Sequence, residues 1–225
     1  MNISVIIPTL NEAACLPHTL DRLCQDRPSE IIVADGGSTD ETIHIAERFA
    51  QVVNAPRGRA LQQNFGAAAA TGDVLLFLHA DCWPEPGWQA AVRKAASHRD
   101  FLAGCFQMRI DGTRWLYRAI ERGGDLRVRW LSLPYGDQGI FLRRDTFSQC
   151  GGFPRISFME DMMFMRRLRR IGRVRQLRHP IHVSARRWEK TGVLYQTMRN
   201  WMLTVLAVWG GVHPYRLKTF YETVR

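Results

Sequence analysis

Cysteine is scarce in this chain of 225 residues: there are five, at positions 15, 24, 82, 105 and 150, an odd number with no two in a C-x-x-C pair. That spacing argues against a disulfide framework or a structural zinc site and fits reduced thiols in a cytoplasmic protein. Long apolar runs are missing too. The chain enters a strand-like segment at Ile3 without a basic region or a small-residue cleavage site, so no secretory leader is expected. The last apolar stretch, within about Val193 to Trp209, falls short of the about 20 residues that a membrane span needs. No Pro, Gly or Ser-rich linker, repeat or low-complexity block divides the sequence. Acidic residues are outnumbered, 21 Asp and Glu against 31 Lys and Arg, for a formal net charge of +10. Such a balance suits a nucleic acid, an anionic membrane surface or a phosphate-rich substrate, and charge alone does not choose among them.

What is present is a chain with 46% hydrophobic residues, enough to bury one sizeable core. Ile3 to Ile7, Ile31 to Ala34, Val52 to Ala55 and Val74 to Leu78 read as buried strands. Helical patterns separate them. Leu16, Leu20 and Leu23 share one face of the first helix, Ser38-Thr39-Asp40-Glu41 offers a capping box for the second, and an alanine-rich third runs from Leu61 to Ala70 with Gly72 placed to end it. This alternation predicts an α/β fold with a mostly parallel central sheet, and ligands bound beyond the carboxyl ends of its strands. After Pro86 the pattern becomes mixed: a helix near Gly87 to Ser97, a strand near Phe101 to Arg109, a polar stretch, a strand near Gln138 to Arg143 and a helix from about Glu160. We divide the chain into one domain, 1–190, and an amphipathic C-terminal helical appendage, 191–225.

Chemistry-bearing side chains gather at the predicted strand ends. Asp35-Gly36-Gly37-Ser38 follows the second strand, where the carboxylate can accept hydrogen bonds from a base or ribose; a tight turn followed by an N-cap accounts for it as well. His79-Ala80-Asp81 ends the fourth, where a carboxylate can hold a hard divalent cation against phosphates, or merely cap a turn. Glu160 and Asp161 open a helix, either as the base a single displacement requires or as acids favoured by the helix dipole. Asp137, in Gly136-Asp137-Gln138-Gly139, is a secondary base candidate on the acceptor side, or part of a plain turn. His182 and His179 are candidate metal ligands or structural histidines.

The order of these segments carries more than any one of them. Ser4-Val5-Ile6-Ile7-Pro8-Thr9-Leu10-Asn11-Glu12, the Asp35 turn, Leu76-Phe77-Leu78-His79-Ala80-Asp81, Gly151-Gly152-Phe153-Pro154 and Glu160-Asp161 together resemble the family 2 glycosyltransferases, from residue 3 to about residue 172. The resemblance implies a Rossmann-like GT-A fold, a nucleoside-diphosphate-sugar donor, an inverting transfer and a divalent metal, Mn2+ or Mg2+. It implies that Pro8, Thr9, Asn11 and Glu12 lie near the nucleotide, with Asp35 at its base. The loop of Arg57 and Arg59, with Asn64 behind it, would face the diphosphate or the sugar. Asp81 matches the last aspartate of the family's Asp-x-Asp metal motif, with His79 in place of the first. Asp161 matches the base. Arg186-Arg187-Trp188 is similar to the Gln-x-x-Arg-Trp segment of processive synthases, with Val183 or Ser184 where the glutamine would stand; processivity is therefore not expected, while Arg187 can still hold a leaving diphosphate.

Within the family the chain is similar to small transferases associated with radical-SAM and selenium-related proteins, through Leu78-His79-Ala80-Asp81 and Gly136-Asp137-Gln138-Gly139. Related enzymes glycosylate lipids, so a small-molecule or lipid acceptor is expected. The arginines between 166 and 178, with the aromatic C-terminal helix, point to the inner face of an anionic membrane. A noncatalytic nucleotide-sugar scaffold is the alternative raised by His79. A basic nucleic-acid-binding protein rests on charge only, since no helix-turn-helix, zinc finger or RNA-binding strand motif is present, and no specific nucleic acid is expected. A nucleotidyltransferase would open on a Gly-rich phosphate loop with a lysine, where this chain has Pro8-Thr9-Leu10-Asn11-Glu12.

Overall fold

The computed structural model describes residues 1–208 together with 210, 212 and 215. In chain order the elements are β1 (Ile3–Thr9), α1 (Leu16–Cys24), β2 (Glu30–Asp35), α2 (Thr42–Glu47), β3 (Gln51–Asn54), α3 (Arg59–Ala69), β4 (Val74–Phe77), β5 (Cys82–Pro84), α4 (Trp88–Ala96), β6 (Ala103–Asp111) and α5 (Trp115–Leu131). A 3-10 turn, Gly136–Gln138, then leads to β7 (Ile140–Arg143), α6 (Arg144–Gln149), α7 (Glu160–Leu168), β8 (Val174–Ser184), α8 (Arg186–Thr191) and α9 (Val193–Val208). The strands form one eight-stranded sheet in the order β3-β2-β1-β4-β7-β6-β8-β5.

β1 reads as a continuous apolar run because both faces of the sheet are covered. Its period of two divides it between two cores. Val5 and Ile7 pack with Leu16, Leu20 and Leu23 of α1 and with Trp88 and Val92 of α4. Ile6 turns the other way, to Ile32, Ala60 and Ala67, with Phe77, Phe153 and Phe164 in the same cluster. Each fully buried Leu, Ile or Phe contributes roughly 1.5–3 kcal/mol. The alanine-rich α3 can sit close because Gly66 faces β1, where a Cβ would come within 2.6 Å of Ile6.

From β1 the chain winds outward through the parallel strands β2 and β3, then returns to lay β4 parallel on the other side of β1. The gap between β1 and β4 is therefore a topological switch point, and the carboxyl ends there are the favoured place for a ligand.

Several expectations change. The expected parallel pairing holds for β1 with β2 and β4, β2 with β3, and β6 with β8; β7 runs antiparallel to both β4 and β6, and β5 antiparallel to β8. The polar stretch after Arg109 folds as α5, whose period is concealed because it buries Glu121 and Arg127 while exposing Trp115 and Trp130. The capping box at Ser38 does not form: Ser38 Oγ is engaged with Asp35 and with the Asn11 N–H, and Asp40 Oδ1 accepts the Thr42 N–H instead. Gly72 lies beyond the end of α3, where its N–H donates to Ser4 Oγ and a Cβ would meet that hydroxyl at 2.6 Å. The boundary drawn after residue 190 falls within α8, and α9, in the appendage, packs Leu203 and Ala207 beside Phe158, Met159 and Met163. Trp209 and most of the stretch beyond it lie outside the described residues. Among the described residues no helix is long and apolar enough to cross a membrane.

Candidate active site

The carboxyl ends of β1 and β2 form the first wall. Asp35, buried at the end of β2, accepts from Thr9 Oγ1 at 3.0 Å and from Ser38 Oγ at 2.5 Å through Oδ1, and from the N–H groups of Gly37 and Ser38 at 2.8 and 2.7 Å through Oδ2. A carboxylate so engaged fixes the shape of its own turn. Asn11, in the left-handed region at φ 55°, turns its Oδ1 to the Thr39 N–H and so clamps the β1 loop to the β2 loop. Beneath them Gln62 donates to the carbonyls of Thr9 and Ala34. A buried amide holding two strand ends together leaves no periodicity, and the sequence reading passed over it.

The second wall follows β4. His79, Asp81 and Cys82 bring one potential ligand atom each within 4.8 Å of one another, the one such group among the described residues. Nε2 of His79 is buried without a hydrogen-bond partner. Burial, reinforced by the charges of Arg59 and Arg187, pushes the imidazole well below its usual range, so it stands neutral with a lone pair available. A carboxylate with a neutral imidazole suits a divalent transition ion such as Mn2+, and the unpartnered nitrogen gives that ion a reason to be there. The Cys82 thiol is held well above its usual range by burial and by the nearby Asp81 and Asp137, which makes it a poor thiolate ligand. Arg186 reaches across from α8, with Nη2 3.3 Å from Glu12 and 3.7 Å from Asp81. His182 stands apart from the three-residue group: its Nε2 is 3.0 Å from Glu85 and its ring stacks on Trp83, while His179 bonds the Glu85 carbonyl.

The third wall is the 3-10 turn and the start of α7. Asp161 accepts from the N–H of Gly136 at 2.6 Å and of Met162 at 2.7 Å. Its neighbour Glu160 is buried, paired with Arg59 at 3.3 Å, and raised in pKa mainly by burial. Asp137 is pushed up to about 6 by burial, with the charges of Asp161 and Asp81 adding to the rise against Arg127 and Arg187. These mutual influences bring Asp81, Asp137, Asp161 and Arg187 into one electrostatic neighbourhood. Arg127 supports the turn from behind, donating to Leu133 O and Gln138 Oε1 with its guanidinium 3.4 Å over the Tyr135 ring.

Other expected residues fall elsewhere. Asn64 makes a reciprocal pair with the backbone of Phe153, donating to its carbonyl and accepting its N–H, both at 2.9 Å, which spends the side chain on holding the Gly152–Phe153 loop. Arg57 is exposed, and Pro8 lies half-buried within β1, opposite Ala34 of β2. Arg186, the neighbour of Arg187 in the Arg-Arg-Trp segment, reaches Glu12 and Asp81, Ser38 of the Asp35 turn bonds Asp35, and the N–H of Gly136 bonds Asp161.

An open sheet with acidic and imidazole groups at its switch point is the GT-A architecture, and solved structures of that class superpose on the chain. A mannosyltransferase from Pyrobaculum calidifontis in complex with GDP-Man and Mn2+ matches with TM-score 0.72 and 22% identity, over 92% of this chain and 63% of that one. S. aureus TarS 1-349 in complex with UDP-GlcNAc matches with TM-score 0.66 and 17% identity, over 96% and 69%. The model of glycosyl transferase family 2 matches residues 4–164, and the chain belongs to that family. A PGL/p-HBAD biosynthesis glycosyltransferase of Mycobacterium bovis is 36% identical over 169 residues, 67% of this chain. The chain spans 62% of that relative's length.

Proposed function

We propose that this chain is an inverting glycosyltransferase that moves a sugar from a nucleoside-diphosphate donor to a small-molecule or lipid acceptor, with Asp161 as base and a divalent metal, Mn2+ or Mg2+, at Asp81 and His79. One observation carries the reading. Nε2 of His79, 2.7 Å away, and Oδ2 of Asp161, 3.0 Å away, flank the single point where a Cβ of Gly136 would stand, so a metal-competent group and a base share one space. Family membership supports it, and so do the GDP-Man and UDP-GlcNAc bound in the two structural relatives.

Asp161 takes the proton of the acceptor hydroxyl, whose oxygen attacks the anomeric carbon opposite the diphosphate; the bond to the diphosphate breaks and the configuration inverts. The metal, when bound, neutralises charge on the diphosphate. Arg59, Arg186 and Arg187 add positive charge on the same side, and Glu160 positions Arg59 rather than acting as a second base. The Thr9–Asp35–Ser38 network shapes the nucleotide seat, with Pro8, Asn11 and Glu12 at its rim. His182, paired with Glu85, is left out of the metal shell. The His79-Ala80-Asp81 and Gly136-Asp137-Gln138-Gly139 segments support membership of the radical-SAM-associated subgroup, and the basic surface favours the cytoplasmic face of a membrane.

The test is the thermal shift of wild type and Asp81→Asn with UDP, GDP, TDP and CDP, each with and without Mn2+. A nucleotide at about 100 times its dissociation constant stabilises the fold by about 2.7 kcal/mol. The expected result is a manganese-dependent shift for one nucleotide that Asp81→Asn loses. No shift with any of the four would sink the transferase reading.

A further inference from the structure

α9 is apolar on the side it turns outward. Its inward face mixes Gln196, Arg199 and Thr204 with Val193, Leu203 and Ala207, all buried, whereas its exposed positions are Leu194, Tyr195, Met198, Trp201, Met202 and Val205. Those six fall at intervals of one, three, three, one and three, a single stripe along the helix, and every one is apolar or aromatic. A helix against water shows the opposite arrangement, because its apolar side is the one that gains by leaving solvent.

The neighbouring α5 also turns apolar side chains outward. It buries Glu121 and Arg127 beside Tyr117 and Val128 and exposes Trp115, Leu126 and Trp130, the two tryptophans to 75% and 74%. The two helices meet where Gly123 leaves room for Trp201, whose ring carbon would stand 3.8 Å from a Cβ there. Leu126 and Trp130 lie three and seven residues beyond Gly123, on the same side of α5 as that contact. The apolar stripe of one helix thus continues onto the other. Arg118, Arg122 and Arg129 are also exposed on α5, and the exposed positions of the two helices include no Asp or Glu.

We propose that α5 and α9 together form a face that docks on an anionic lipid bilayer, and that the acceptor is a lipid presented at that surface, a refinement that rests on the transferase reading. Tryptophans at the margin, an apolar stripe to enter the acyl boundary and arginines with no acidic counterweight are the elements of an interfacial surface. A second copy of this chain fits less well. A two-fold contact would set the exposed Arg122 and Arg129 of one α5 against the same two arginines of its partner. The face is also joined to the site: Thr204, on the inner side of α9, lies 2.6 Å from the Tyr135 hydroxyl, and Tyr135 precedes the Gly136 that bonds Asp161.

The experiment is flotation of the full chain with phosphatidylcholine vesicles and with vesicles containing about a third phosphatidylglycerol, at about 0.1 M salt. Wild type is expected to float with the anionic vesicles and to have its tryptophan emission quenched by brominated acyl chains. Two paired variants, Met198→Gln with Met202→Gln and Arg122→Glu with Arg129→Glu, are each expected to lower the bound fraction about tenfold, through lost apolar insertion and lost charge attraction respectively. All four positions are exposed, so the fold is expected to survive, and the nucleotide thermal shift of the same variants reports it. Failure of wild type to float, flotation indifferent to both pairs, or a solution dimer dispersed by the methionine pair without any flotation would each overturn the proposal. Flotation reads no chemistry. A retained nucleotide shift without flotation removes the docking face and leaves the transferase reading, whereas flotation without any nucleotide shift removes the transferase reading, and the lipid acceptor with it, and leaves the docking face.

Discussion

The N–H of Gly136 donates to Oδ2 of Asp161 at 2.6 Å, and the Gly136 Cα faces the Nε2 of His79 so closely that a Cβ would stand 2.7 Å from it. The relationship makes a backbone segment part of the site. Because the 3-10 turn approaches the side chains of His79 and Asp161 at once, the residue at its head has no room for a side chain. The turn itself is held from both sides, by Arg127 bonded to Gln138 and by the Tyr135 hydroxyl on Thr204.

Gly136→Ala is therefore expected to damage the site more than the fold. The added methyl must displace the imidazole or the carboxylate, and a shift of about 1 Å in a reacting group costs about a hundredfold in rate. Sugar transfer should fall by roughly that factor, while the unfolding midpoint moves by the about 1–3 kcal/mol of a locally overpacked position. Steady-state kinetics and urea unfolding of the variant separate the two. Unchanged turnover would mean that His79 and Asp161 are not both needed where they stand.

Asp161→Asn keeps an oxygen to accept from one of the two N–H groups and removes the base. Turnover should drop by about 10²–10⁴, the usual contribution of a positioned general base, with the nucleotide thermal shift retained. An isotope-labelled donor assay beside the thermal shift reads both quantities. Full turnover in this variant would remove Asp161 as base and bring Asp137 forward in its place.

The first half of the fold was legible because parallel strands buried on both faces spell themselves as apolar runs, and Leu16, Leu20 and Leu23 of α1 mark their helix by period alone. α5 was not legible: Glu121 and Arg127 are buried and the tryptophans are exposed, so the segment reads only as a polar stretch. Tertiary partners decide that helix: Arg118 and Arg109 pair with Glu121, and Gln138 and Leu133 accept from Arg127. Motif order marked Asp35, Asp81 and Asp161 as site residues, and the structure gathers Asp81 and Asp161 around the 3-10 turn. It could not show that Asn64 is spent on the Phe153 backbone or that His182 pairs with Glu85, because both depend on contacts 89 and 97 residues apart along the chain.

Asp137 gives the site a pH signature in metal-free protein. Its carboxyl is pushed up to about 6, first by burial and then by the charges of Asp161 and Asp81, and its Oδ1 is buried without a hydrogen-bond partner. An unfolded aspartate titrates near about 3.9, so between that value and about 6 the folded chain binds more protons than the unfolded one. Stability from this group is therefore lost as pH rises through that window, by on the order of 2–3 kcal/mol, and the full cost persists at neutral pH. Asp137→Asn, which has no charge to desolvate, escapes the cost. Urea unfolding in the presence of a chelator should find variant and wild type within about 1 kcal/mol of each other near pH 4, with the variant pulling ahead by on the order of 2–3 kcal/mol above about pH 6. The same comparison with Mn2+ added should narrow the gap, because a cation at Asp81 favours the ionised form of a neighbouring carboxyl. A difference between the two proteins that stays constant from pH 4 to pH 7 would mean that Asp137 is ionised at its ordinary value and is not desolvated in the folded chain.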